Sequence, residues 1–209
     1  MVQAEGPRAL RSLIIVAGTP GTGKSTVSEA LSRELGCRVL EPSRVAAEYG
    51  LGTPDPERPG TLVIDEARLV AKVKELAADG CWIISTHYPD LFLADEELYM
   101  DVAFVLLLRT NPVVLERRLE GRGWPRRKVL ENAMAEAISY VASSLMPYAD
   151  FVIEVDTTNL SADEVVDVVL SRLSSWDTGI SIDWLSDPGV VEALEAWDLE
   201  LDLDQHGGG

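Results

Sequence analysis

Residues 18–25 read Gly18-Thr19-Pro20-Gly21-Thr22-Gly23-Lys24-Ser25 and fit the pattern G-x-x-x-x-G-K-[ST] without mismatch. This order of residue types makes a phosphate cradle. Gly18, Gly21 and Gly23 let the backbone turn tightly, so that the N–H groups of the loop, that of Thr22 among them, can point at phosphate oxygens. Pro20 stiffens the turn. Lys24 carries the charge that bridges the outer phosphates, and the Ser25 hydroxyl suits Mg²⁺. Thr26 continues into a helix whose N-terminus adds its partial positive charge. The chemistry implied is the gripping of ATP, or a related triphosphate, with Mg.

Such a loop works only between a strand and a helix, and both are legible. LIIVA precedes it and KSTVSEALSREL follows. Five short, nearly continuous apolar runs, at 13–17, 38–40, 82–85, 103–108 and 151–155, have the pattern of strands covered on both faces. Helical patterns at 22–35, 66–78, 112–119, 128–145 and 161–173 alternate with them. Gly36 closes the first, Asp65 caps the second, Pro147 stops the fourth, and Ser161-Ala162-Asp163-Glu164 opens the fifth as a capping box. The fold class expected is α/β: a P-loop, doubly wound, five-stranded parallel sheet. Residues 50–60, GLGTPDPERPG, read as a loop or flap inside that domain.

Bulk composition narrows the partners. Among 209 residues the net charge is −17, which offers no broad basic surface to a nucleic-acid backbone. Residues 174–209 hold nine acids and no Lys or Arg, with Trp176, Trp184 and Trp197 among them. The division expected is therefore a nucleotide-binding domain at 11–173 and an acidic extension at 174–209. Three tryptophans argue against a purely disordered tail. The extension either packs on the parent domain or docks a basic partner, with packing favoured. No apolar run reaches the roughly 18 residues of a membrane span, and the N-terminus lacks a signal pattern. Cys37 and Cys81 open two apolar segments and read as buried thiols of a reducing compartment, with a disulfide as the less favoured alternative. A cytoplasmic location, with no membrane partner, is expected.

The strand, loop and helix LIIVAGTPGTGKST resemble adenylate kinases, in which a helix leading into a mobile lid carries two arginines four apart. Arg118 and Arg122, in LERRLEGRGW, match that pair and share one helix face. One can stack on adenine and the other can reach the phosphates. The competing reading is a solvated face paired with Glu116 and Glu120. The closer resemblance is to the adenylate-kinase-like ATPase family of archaea and eukaryotes that acts in small-ribosomal-subunit assembly, the nuclear adenylate kinase or coilin-interacting nuclear ATPase type. It rests on GTPGTGKST, Asp65-Glu66-Ala67-Arg68, Trp82-Ile83-Ile84-Ser85-Thr86-His87, Leu108-Arg109-Thr110, Glu116 to Trp124, and Glu131-Asn132 with Glu136. It covers residues 11–173.

This likeness implies adenylate kinase activity (ATP and AMP to two ADP) and slow Mg-dependent hydrolysis of ATP. It also implies binding of a small-subunit platform ribosomal protein, and through it indirect contact with small-subunit rRNA. Lys24, His87 and Arg122 would take the catalytic positions. Arg109 and Arg118 would join the loop at the nucleotide, and Arg44, Arg68 and Asp65 would serve the monophosphate. Two departures stand out. The family's Asp-x-His is here Ser85-Thr86-His87, so Mg would rest on Ser25, the phosphates and water, with Asp90 nearby. The family's flap-helix arginine falls on Ala47, leaving Arg44 or Arg68 to compensate. A kinase of a nucleoside or other small molecule, with no ribosomal role, is the alternative function.

Overall fold

The computed structural model describes residues 12–55 and 62–206. The chain begins β1 (Ser12–Ala17), α1 (Lys24–Leu35), β2 (Arg38–Leu40) and α2 (Pro42–Glu48). It then forms the short strands β3 (Gly52–Pro54) and β4 (Leu62–Ile64), followed by α3 (Glu66–Leu76) and β5 (Cys81–Thr86). Two short helices, α4 (Pro89–Leu93) and α5 (Glu96–Asp101), lead to β6 (Val102–Arg109). Next come α6 (Pro112–Glu120), α7 (Arg126–Ala137), α8 (Tyr140–Leu145), β7 (Val152–Asp156), α9 (Ala162–Ser175) and α10 (Pro188–His206).

Five strands make one parallel sheet in the order β2-β5-β1-β6-β7. The α/β, doubly wound, five-stranded P-loop architecture read from the sequence is the architecture found. Alternate residues of β1 serve opposite faces. Leu13, Ile15 and Ala17 join the cluster containing Val73, Phe92 and Leu145, and Ile14 and Val16 join that of Leu31, Val166 and Val169. Helices cover both faces, which is why the strands are continuously apolar. Because β1 sits centrally, the loop after it opens at the carboxyl edge of the sheet, where ligands of such folds bind.

Four expectations require correction. First, Cys37 and Cys81 are not thiols. They form a disulfide with Cα atoms 4.7 Å apart, tying the entry of β2 to that of β5. Arg38 and Trp82 pair in the register of those strands, which brings the flanking cysteines together. The bridge lies at the amino edge of the sheet, opposite the P-loop. Reduction should therefore lower stability by about 3 kcal/mol without changing nucleotide affinity; chemical denaturation with and without reductant, beside a nucleotide titration, checks this.

Second, residues 50–60 are not wholly loop. β3 pairs antiparallel with β4, with Thr53 opposite Val63, so the flap has a two-stranded base; residues 56–61 lie outside the described residues. Third, the helix expected at 128–145 is two helices. Ser139 adopts a left-handed conformation (φ 58°) between α7 and α8, where its Oγ accepts from Arg109. Fourth, Arg109 is a buried framework residue, as described below.

The acidic extension packs on the domain. Gly179 N–H donates to Val152 O at 2.8 Å, which continues hydrogen bonding beyond the edge strand β7. Trp197 is 3% exposed against Leu130 and Ala133, and Trp184 sits with Ala137 and Val190. Trp176 remains outside, in a left-handed position that ends α9. Among the described residues no helix is long and apolar enough to cross a membrane.

Candidate functional site

The loop between β1 and α1 takes its shape from its glycines. Gly18 has φ +148°, and a Cβ there would stand 2.5 Å from Leu108 O and 2.7 Å from Thr22 Oγ1. At Gly21 (φ +99°) a Cβ would strike the Leu115 side chain at 2.6 Å. No side chain caps α1, so its first N–H groups stay open to an anion. The loop is braced from within. Thr22 Oγ1 donates to Thr19 O at 2.9 Å, and Thr157 Oγ1 donates to Thr22 O at 3.0 Å.

Lys24 Nζ donates to Gly18 O at 2.8 Å and Thr19 O at 3.1 Å, folding the ammonium over the loop. Desolvation pushes its pKa down to about 8; Arg122 pushes the same way, while Glu136 and Glu41 oppose. A bound polyphosphate favours the charged form. Nucleotide binding should then take up a proton near pH 8, and affinity should fall as pH rises through that value. Calorimetry in buffers of different ionisation enthalpy checks this; no proton uptake between pH 7 and 9 would mean that Lys24 is already charged before binding.

Two of the cavities at this end of the sheet bear on the chemistry. One, of about 190 Å³, lies between Gly21, Thr22, Gly23 and Thr26 on one side and Arg118, Arg122, Leu160 and Val165 on the other. Arg118 is anchored there by donating to Thr157 O at 2.8 Å and Thr158 O at 2.9 Å. Burial and the neighbouring Arg122 lower its pKa, leaving it a charged, fixed plane. Arg122 lies past the end of α6, exposed in the turn at 121–123, so the two arginines do not share a helix face as expected; the competing pairing with Glu116 and Glu120 does not form either. Those carboxylates hold Arg126 instead, at 2.8 and 2.5 Å.

The second cavity, of about 390 Å³, lies beyond the end of β5, between α2, α3 and α4. Ser85, Thr86, His87, Ala46, Leu69 and Phe92 contribute to its wall, and Lys128 brings a cation from α7. His87 is held neutral: desolvation and then Lys24 push its pKa to about 4. Its ring lies 4.0 Å from that of Tyr88.

The expected monophosphate contacts are not brought to this cavity. Arg44 is exposed and pairs with Glu41 at 2.7 Å. Arg68 is exposed, and the Asp65 carboxylate caps α3 by accepting from Arg68 N–H at 3.1 Å. Lys128 is the cation that sequence reasoning missed; it stood at the start of the helical pattern read at 128–145, and nothing in its spacing pointed to the end of β5. Asp90 lies in the first turn of α4 and lines neither cavity.

Arg109, expected at the nucleotide, is 1% exposed and has no free face. Its guanidinium donates to Glu136 at 2.8 Å, Glu154 at 2.9 Å and Ser139 at 2.9 Å. Glu136 in turn accepts from Thr19 Oγ1 of the P-loop at 2.5 Å, from Thr110 N–H and from Trp184 Nε1. Glu154 accepts from the Ser181 and Ile182 N–H groups. One buried network therefore joins the loop, β6, α7 and the acidic extension.

Comparison with known proteins fits this geometry. The family model described as AAA domain matches residues 14–139. A Saccharolobus islandicus protein named "Putative adenylate kinase" is 33% identical over 187 residues, covering 89% of this chain and 94% of that protein. One of the same name from Archaeoglobus fulgidus is 37% identical over 182 residues, covering 84% and 93%. Shikimate kinase from Acinetobacter baumannii shares the fold, with TM-score 0.54 and 19% identity over 79% of this chain and 94% of that one. The chain belongs to the AAA-domain family of P-loop proteins, among the archaeal relatives named "Putative adenylate kinase".

Proposed function

We propose that this nucleoside-monophosphate-kinase-like enzyme moves the terminal phosphoryl group of ATP to AMP, and hydrolyses ATP slowly when no acceptor is bound. The observation that carries this reading is a pair of cavities, the first beside Arg118 and Arg122, the second beside His87 and Lys128, with Lys24 close enough to feel the charge of Arg122 and to act on His87. The first suits the triphosphate, with Arg118 against the base, Arg122 toward the phosphates, and the loop from Gly18 to Thr26 around them. The second suits the acceptor, with Lys128 serving where Arg44 and Arg68 do not reach. Phosphoryl transfer is mostly positioning and charge neutralisation. Lys24 and Arg122 supply the charge, and neutral His87 holds the acceptor oxygen or a water by hydrogen bonding. Mg²⁺ fits here because Ser25 presents an exposed hydroxyl on the first turn of α1. The ion would be held by Ser25 and the phosphates and would offset their charge.

We also place the enzyme in the cytoplasm, in maturation of the small ribosomal subunit. There it would hold a platform ribosomal protein and touch the rRNA only through it. The supporting observation is α10, whose Trp197 packs inward while Glu192, Glu195 and Asp198 stay exposed, an acidic face suited to a basic client. Calorimetry with AMP, run on the protein saturated with a non-hydrolysable ATP analogue, tests the acceptor site. One further equivalent bound supports it, and no heat of binding would contradict it. Binding of a purified platform protein at moderate salt tests the second part, and no binding would leave a kinase without a ribosomal role.

A further inference from the structure

Ser85 stands where a carboxylate would be expected to serve the metal, yet the P-loop hydroxyl already has a carboxylate partner. Ser25 Oγ donates to Glu41 Oε1 at 2.9 Å. Glu41 comes from the other side of the site, immediately after β2, in the first position before α2. Residues there usually turn their side chains back to cap the helix. Glu41 does not: it makes no capping hydrogen bond, and Pro42 at the first helical position fixes the chain's direction at that point. Its carboxylate instead faces the loop, where it acts on the charge of Lys24. The second oxygen, Oε2, is held by Arg44 Nε at 2.7 Å, so the group is clamped at one end and presented at the other. Ser25 and Glu41 line a common cavity of about 410 Å³, roomy enough for a hydrated ion.

We propose that Glu41 supplies the carboxylate of the magnesium site at Ser25, replacing the acid that Ser85 lacks. A small, hard cation of this kind is held by one or two carboxylates together with phosphate oxygens and water, and Ser25 with Glu41 provides that set on a rigid strand end and helix start. The hydrogen bond between them orients both oxygens before the ion arrives. Arg44 is then a positioning residue for Glu41, which explains why it stands away from the acceptor cavity. The inference rests on the nucleotide-binding reading above, and the two can fail separately.

The experiment uses the full chain and its E41Q, E41D and R44A variants, with melting curves to verify folding. ADP affinity is measured by calorimetry without metal and with Mg²⁺, and Mn²⁺ binding to the ADP complex is followed by electron paramagnetic resonance. The expected result is that E41Q weakens Mn²⁺ binding about tenfold or more and shrinks the gain in ADP affinity that Mg²⁺ gives the wild type. E41D, which restores a carboxylate, should recover part of that gain, and R44A should show a smaller loss. Wild-type Mn²⁺ affinity in a folded E41Q would overturn the proposal. So would an equal loss of ADP affinity with and without metal, which marks a structural role. Failure of the wild type to bind ADP at all would overturn the nucleotide reading and this inference with it.

Discussion

Replacing Arg109 with leucine will lower the stability of the protein by about 3–5 kcal/mol, because it strands buried carboxylates without their cation. Both Glu136 and Glu154 are 3% exposed or less, and the guanidinium they share is the only Lys or Arg side chain paired with either among the described residues. For a chain of this size the melting temperature should fall on the order of 10 °C. The effect should also reach the site and the extension together. Glu136 orients Thr19 of the P-loop and accepts from Trp184, and Glu154 holds the backbone at Ser181 and Ile182. Tryptophan fluorescence should therefore report release of Trp184 at denaturant concentrations where the wild type is still native. A variant melting within 2 °C of the wild type, as "roughly zero" on this scale, would mean that water or rearrangement satisfies both acids.

Replacing Lys24 with methionine should have the opposite profile, with a large effect on function and little on folding. The ammonium is desolvated in the unbound protein, so its removal relieves a cost even as two hydrogen bonds are lost. One of the two carbonyls keeps other donors, since Thr19 O still accepts from Thr22 Oγ1 and Thr22 N–H. Melting should stay near that of the wild type. Turnover should drop by on the order of 10²–10³-fold, the cost of removing one preorganised charge from a developing oxyanion. Steady-state ADP formation and a melting curve on the same preparation check both halves. Full turnover in the variant would remove the loop from the chemistry.

Much of this was legible in the sequence, and the reasons are local. Strands buried on both faces announce themselves as Val, Ile and Leu runs, and the loop from Gly18 to Ser25 is written in residue types that only one geometry requires. Arg118 and Arg122 both line the small cavity, but not by the shared helix face that a spacing of four suggests: α6 ends at Glu120, and Arg122 reaches the cavity from the exposed turn that follows. What was not legible depends on distant partners. Arg109 reads like any cation at the end of a strand, and only the fold brings Glu136 and Glu154 to it. Ser139 breaks a helix that its neighbours' propensities would continue, in a position where its hydroxyl meets Arg109. The pairing of Cys37 with Cys81 needed the register of β2 against β5. The helices α4 and α5 were missed although Pro89 opens one and Asp95 caps the other by accepting from Leu98 N–H, signals too short to carry a helical period. Glu41 stands out by nothing in the sequence, and only the fold brings it to Ser25.

The cavity beside His87 and Lys128, proposed above for the acceptor, gives the reading its sharpest test, because phosphoryl transfer to AMP needs such a site and hydrolysis does not. The measurement is the initial rate of ADP formation from ATP and Mg²⁺ by the purified full chain, with and without AMP. A rate that rises steeply with AMP and saturates, yielding two ADP for each ATP consumed, is the result expected. A rate indifferent to AMP would contradict it and leave a P-loop ATPase whose second cavity serves some other ligand.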